Sequence, residues 1–383
     1  MRDLAIIGIG QIPVGEHWTS GLRTLAAEAI YLALEDAGIE QVDALYVGNA
    51  YGSSYSSQTQ LGALIADHAG LANIEAFTVE AAEASGGAAI RTAYLAVASG
   101  AIETALVLGV EKSTDTLASA RVEARSVSLD ADYEAAHGAT LTAMAAMLMR
   151  RYMHEYNLDL NAFEGFSINA HANGNRNQNA MFKNLIKPGR FASAPMISEP
   201  INLFDNAPDA DGAAAIVITS LDRAVDMVPM PVRLTASAVA TDTLALADRS
   251  DPLYLKASNI SAHKAFAKAG VTKDAVDLFE LHDAFTILTA LTLEAITFAN
   301  RGEGWKLAQP SVIGLNGSLP ISTFGGLKAR GNPGGATGVY QAVEACLQLR
   351  GQAGSNQVPN AKVALIQNLG GLGSTAVSHI LQI

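Results

Sequence analysis

The second half of this chain repeats the first, and the repeat limits the folds open to it. Ala33-Leu34-Glu35-Asp36-Ala37-Gly38-Ile39 with Val42-Asp43-Ala44-Leu45 resembles Phe266-Ala267-Lys268-Ala269-Gly270-Val271 with Val276-Asp277-Leu278-Phe279. Each copy reads as a helix end, a glycine stop and a buried strand. A second match pairs the small-residue helix from Ser85 with Gly334-Gly335-Ala336-Thr337-Gly338-Val339-Tyr340. Two similar βαβ-rich halves imply two stacked sheets related by a pseudo-two-fold. Residues 83 and 332 would then both lie at helix starts facing one cleft.

Taken in order, Leu4–Gly8, Val42–Gly48, Ala76–Val79 and Glu103–Val110 read as strands. Leu22–Ala37, Gln60–Ala69 and a run from Ser85 to Ala98 read as helices. This alternation predicts an α/β fold with a mostly parallel sheet covered on both faces. From about Lys112 to Pro195 the pattern breaks into polar, methionine and aromatic stretches, with helices near Ala139–Tyr156 and Glu164–Asn173. A long insertion of this kind usually carries function. The expected division is 1–228, including the insertion at about 112–195, and 229–383.

Hydrophobic residues make up 49% of the 383 and charged residues only 16%, which points to extensive buried subunit interface. The net charge of −12 argues against non-specific nucleic-acid binding. No apolar run has membrane-spanning length, and the start reads as a strand rather than a signal peptide. A single cysteine, Cys346, excludes an intrachain disulfide and a cysteine-rich metal site. A cytoplasmic protein without a bound metal is expected.

Ala82-Glu83-Ala84-Ser85-Gly86-Gly87 puts a carboxylate just ahead of a helix N-terminus, where free N–H groups and the helix dipole favour an anion. The Ser-Gly-Gly step is expected to turn the backbone sharply and pack it closely. Three further stretches stand at strand ends or turns: Glu280-Leu281-His282-Asp283-Ala284-Phe285, Gly331-Asn332-Pro333-Gly334-Gly335-Ala336, and Asn368-Leu369-Gly370-Gly371. In such sheets ligands sit beyond the carboxyl ends of the strands. Ser85, Gly86, Asp283, Phe285, Gly335 and Gly370 are therefore candidates to line a substrate, beside Glu83, His282 and Asn332.

In this order the stretches resemble the thiolase superfamily, in its archaeal and sterol-carrier-protein-type branch. His171-Ala172-Asn173-Gly174-Asn175, Ala180-Met181-Phe182 and Asp211-Gly212-Ala213-Ala214-Ala215 extend the resemblance over almost the whole chain. It implies the five-layer αβαβα thiolase fold, a CoA thioester as ligand with no permanently bound cofactor, and a homodimer or dimer of dimers. The dimer contact would lie along Ala76–Glu80 and bury over about 2,000 Å². It also implies departures. Glu83 stands where a condensing thiolase has its nucleophilic cysteine, and Asn332 where a histidine activates that cysteine. Ala284 stands where this branch has a proton-transfer cysteine, and Asn368 falls near the place of another.

A thiolase reaction needs a thiolate to carry the acyl group. A glutamyl anhydride would be a poor carrier, and an asparagine cannot act as a base near neutral pH. Ordinary thiolysis is therefore not expected. Two readings remain. In the first, an acyltransferase-like protein performs cysteine-independent C–C chemistry on a CoA thioester, aldol, retro-aldol or decarboxylation. Glu83 would be the acid or base, and His282 and Asn332 would hold the thioester oxygen. In the second, the chain is a non-catalytic scaffold that partners an active thiolase or an oligonucleotide-fold, zinc-ribbon acyl-CoA-binding protein. For Glu83, a dry cleft would raise its pKa into the neutral range, whereas the dipole in a wet cleft would keep it an anion.

Overall fold

In a computed structural model, which describes residues 2–383, the chain opens with β1 (Leu4–Gln11), α1 (Leu22–Ala37), β2 (Ala44–Gly48), α2 (Gly52–Tyr55), α3 (Leu61–His68), β3 (Glu75–Val79), α4 (Ser85–Ser99) and β4 (Thr104–Glu111). The insertion then supplies α5 (Ala118–Ser126), α6 (Leu141–Tyr156), α7 (Glu164–Arg176) and a short hairpin, β5 (Met196–Ser198) with β6 (Ile201–Asn202). β7 (Gly212–Ser220) and α8 (Leu221–Met227) follow. The second half holds β8 (Val232–Thr241), α9 (Lys256–Ala269), β9 (Leu278–Glu280), α10 (Thr286–Ala295), α11 (Pro310–Ile313), α12 (Thr337–Leu349), β10 (Val363–Gly370) and β11 (Thr375–Gln382).

The strand order is β3-β2-β4-β7-β1-β8-β11-β10-β9. With the edge strand β3 set aside and each half read inward, β2-β4-β7-β1 has the layout of β9-β10-β11-β8, so the repeat in the sequence is a repeat in the sheet. Two expectations are corrected. The halves stack as two β layers but are not fully separate sheets, because they join along one edge, where β1 and β8 pair through Ala5 with Arg233 and Ile6 with Val232. Nor is the sheet mostly parallel: only β2–β3, β2–β4 and β9–β10 are parallel. β10 and β11 are joined by the tight turn Gly371–Ser374 and can pair only as an antiparallel hairpin. β7 returns from the insertion antiparallel to β4.

The layers follow from burial. α1 presents Leu25, Ala29, Ile30, Ala33 and Ala37 to the outer face of the first half and stops at Gly38, in the left-handed conformation. α9 and α10 cover the outer face of the second half. Between the halves run α4 and α12, which touch strands of both. The result is an αβαβα stack, with the insertion's α6 and α7 packed beside α10. Cys346 lies wholly buried on α12, and burial pushes its thiol up to about 12.

Glycines bring α4 and α12 close. A Cβ at Gly86 would stand 2.8 Å from the Gly335 carbonyl oxygen, and one at Gly338 would stand 2.4 Å from the Gly87 nitrogen. Larger residues would push the helices apart. Because they cross here, both helix starts, and the residues just ahead of them, share one place in the molecule.

Candidate active site

The turn between β3 and α4 is made by Ala82, whose φ of +50° is left-handed. A non-glycine residue in that conformation costs about 1–2 kcal/mol. Ser85 holds the turn, its hydroxyl donating to the Ala82 carbonyl and accepting from the Ala81 N–H. This corrects the expectation that the Ser-Gly-Gly step makes the turn, since Gly86 and Gly87 serve the helix crossing instead. The turn drives the Glu83 side chain inward, where 1% of the residue is exposed.

Four side chains meet that carboxylate. Arg125 Nη2 lies 3.1 Å from Oε1 and His282 Nε2 lies 3.1 Å from Oε2. Asn332 Nδ2 donates to both oxygens at 3.4 Å, and the Tyr51 hydroxyl donates to Oε1 at 3.4 Å. The neighbours fix the donors. Gly87 N–H donates to Asn368 Oδ1, so Asn368 Nδ2 faces His282 Nδ1 at 3.2 Å. Nδ1 therefore accepts, and Nε2 carries the proton given to Glu83. Asn332 Oδ1 accepts from Gly334 N–H and the Thr337 hydroxyl, which leaves Nδ2 for Glu83. Arg125 also donates to Asp209 at 2.8 Å.

The electrostatics follow neither expected course. The site is buried, and burial would push the Glu83 carboxyl up. The Arg125 charge, with the hydrogen bonds of His282 and Asn332, outweighs burial and holds it at about 2. Glu83 is thus a fixed anion, not a group poised near neutrality. Glu111, at the end of β4 and facing the same small space, differs. Burial raises its carboxyl to about 7, against the pull of the N–H groups of Ala50, Gly335, Tyr51 and Asn49. Burial, with the nearby Glu344 charge, likewise raises Glu280 to about 8.

These shifts set a pH profile. Glu83 is lowered from 4.5, so its contribution, about 3 kcal/mol, is present above about pH 4.5 and lost as pH falls toward 2. Glu111 and Glu280 are raised, so stability falls as pH rises from about 4.5 through 7 and 8. Buried His171 and His379, lowered to about 4 and about 3, oppose this loss up to about pH 6.5, so urea midpoints are expected to peak between about pH 5 and 6.5 and to decline on both sides. A midpoint that climbs steadily from pH 5 to 8 would contradict the assignment.

Of the residues expected at a site, Glu83, His282 and Asn332 come together. Gly335 lies next to them and donates its N–H to Glu111 at 3.0 Å. Ser85 and Gly86 shape the turn and the helix crossing. Gly370 packs against the same turn, where a Cβ would stand 2.6 Å from the Ala81 carbonyl oxygen. Asp283 instead accepts from Leu327 N–H and the Ser322 hydroxyl, at 2.7 and 3.0 Å, and Phe285 lies in the core before α10. Sequence reasoning missed Arg125, Tyr51 and Glu111. The available signal for Arg125 was general: a carboxylate buried this deeply needs a cation.

The space left against Glu83, lined by Tyr51, Tyr55, Arg125 and Asp209, is about 10 Å³. That is near the size of one water and far below that of a thioester. A roomier cleft of about 650 Å³ lies between α7 and residues 305–316 and contains none of the cluster. Among the described residues no group of His, Cys, Asp and Glu is arranged to hold a metal ion, and no helix is long and apolar enough to cross a membrane.

Residues 4–195 match the family model described as "Thiolase, N-terminal domain", and residues 238–383 match "Thiolase C-terminal domain-like". The acetyl-CoA acetyltransferase of Methanothermobacter thermautotrophicus is 40% identical over 382 residues, covering 99% of each chain. Benzoylsuccinyl-CoA thiolase subunit BbsB of Thauera aromatica is 28% identical over 383 residues, covering 97% of this chain and 95% of that one. Among solved structures, the Ltp2-ChsH2(DUF35) aldolase superposes with a TM-score of 0.85 at 24% identity, covering 99% of this chain and 97% of that one.

Proposed function

The chain belongs to the thiolase family, and on that premise we propose that it is an acyl-CoA-binding, non-catalytic member, working as a scaffold beside a partner subunit. One observation carries the reading. The two donors that would hold a thioester oxygen, His282 Nε2–H and Asn332 Nδ2–H, are both spent on Glu83. Glu83 stands in the place of the nucleophilic cysteine and fills the oxyanion position with its own carboxylate. No acyl-enzyme can form there, and Asn332 has no basic nitrogen with which to activate a thiol. The Thauera aromatica relative, described as a subunit, supports an assembly with a second protein; the partner proposed here is of oligonucleotide-fold, zinc-ribbon type.

The test is direct. Purified protein with acetoacetyl-CoA and CoA should give no thiolysis, and acetyl-CoA should leave its intact mass unchanged. Thiolysis, or a stable acetyl adduct on any residue of the cluster, would overturn the proposal.

A second reading is favoured by Glu111, which faces the same space and changes charge near neutrality. It could handle a proton in cysteine-independent aldol or decarboxylation chemistry. Release of an aldehyde from a 3-hydroxyacyl-CoA, or of carbon dioxide from a carboxyacyl-CoA, would favour this reading over the scaffold.

The assembly itself is proposed to be a dimer through β3. That strand is one edge of the sheet, and its Phe77 is 55% exposed. Light scattering at micromolar concentration should give at least twice the chain mass, and a monomer would reject the proposal.

A further inference from the structure

Glu111 is 1% exposed and has four N–H donors around it. Oε2 accepts from Ala50 N–H at 2.9 Å and Gly335 N–H at 3.0 Å. Oε1 accepts from the Asn49 side-chain amide at 2.9 Å and Tyr51 N–H at 3.3 Å. The first three donors of the chain, Asn49 to Tyr51, follow β2; the last belongs to the turn that enters α12. The two segments also touch directly, since a Cβ at Gly335 would stand 2.5 Å from the Ala50 nitrogen. Gly334 is left-handed, with φ of +46°, and a Cβ there would stand 2.8 Å from Glu111 Oε2. The turn is thus wrapped around this carboxylate.

We infer that Glu111 is the positioning residue of the site: its carboxylate clamps the Asn49–Tyr51 loop to the Gly334–Gly335 turn, tightly when ionised and loosely when protonated. The clamp sets two of the groups on Glu83. Tyr51 donates to it from the loop, and Asn332 is oriented from the turn by Gly334 N–H. Both oxygens of Glu111 face N–H donors, so a proton on either one meets a donor and breaks at least one hydrogen bond.

The groups facing Glu111 give it no compensating charge. Glu83 comes from the turn before α4, Arg125 from α5, Tyr51 and Tyr55 from the α2 segment, and Asp209 from the loop before β7. Arg125 is engaged by Glu83 and Asp209. Lys112, next along Glu111's own strand, is engaged by Asp211 at 2.9 Å and Asp115 at 3.0 Å. Burial then pushes Glu111 up to about 7, where its charge changes in the neutral range.

The inference rests on reading Glu83 as the group that fills the place of a thioester oxygen. Amide hydrogen exchange at Ala50 and Gly335 reports the clamp itself, so the two ideas can fail separately. After correction for intrinsic exchange, protection at both amides against local openings that leave Glu111 buried should rise about tenfold between about pH 6 and 8, as one charge-assisted hydrogen bond is regained, although global stability falls over the same range. Glu111→Gln should leave both amides poorly protected and flat with pH. Glu83→Gln should keep the step, because Glu83 does not titrate there. A flat wild-type profile, a step that persists in Glu111→Gln, or a step that disappears in Glu83→Gln would each overturn the inference. Should Glu111→Gln fail to fold, the wild-type and Glu83→Gln profiles decide it.

Discussion

Replacing Arg125 by methionine is expected to destabilise the protein by about 3–5 kcal/mol, because it leaves a buried carboxylate without its counter-charge. Methionine keeps most of the apolar stem, so the loss measures the guanidinium rather than packing. Arg125 is 8% exposed and Glu83 1%, so solvent does little to screen the pair. Combining Arg125→Met with Glu83→Gln should return much of the loss, since neither charge is then stranded and contacting sites couple strongly. Urea unfolding of the four proteins in this cycle gives the answer. A single-variant cost below about 1 kcal/mol, the value of an exposed ion pair, would show that Arg125 does not hold Glu83.

The second large effect is a gain of chemistry. Glu83→Cys alone should show at most a trace of thiolysis of acetoacetyl-CoA, because Asn332 cannot take the thiol proton. Glu83→Cys with Asn332→His should show it, at about a hundredfold or more above the single variant, the usual worth of a positioned base. Arg125, left in place, would favour the thiolate. Ala284 supplies no proton-transfer thiol, so the rate should remain modest. Equal rates in the single and double variants would mean that position 332 has no part in activating position 83.

Much of this was legible in the sequence because helix, glycine stop and strand recur in order. Ala37-Gly38 and Ala269-Gly270 both end helices in the left-handed conformation, as their spacing suggests. The fusion of the two sheets was not legible, because it rests on a two-residue ladder between β1 and β8 that leaves no periodic signal. The convergence of Glu83, His282 and Asn332 could be read from small-residue helix starts and strand ends. Arg125 could not, for it lies on a helix on which only Ala124 and Arg125 are buried, inside an insertion without hydrophobic periodicity. Weighing burial against the helix dipole for Glu83 therefore omitted the charge that decides its state. Glu111 was hidden for another reason: it ends a strand whose burial is uniform, and nothing in that pattern marks its nest of N–H groups.

In the proposed function Glu83 fills the position a thioester oxygen would take. A crystal structure of the protein with a non-hydrolysable acetyl-CoA analogue tests it most directly. The Glu83 carboxylate is expected to stay within hydrogen-bond reach of His282 Nε2 and Asn332 Nδ2, with the analogue's carbonyl oxygen touching neither. Glu83 displaced, with the analogue's oxygen held by His282 and Asn332, would contradict it.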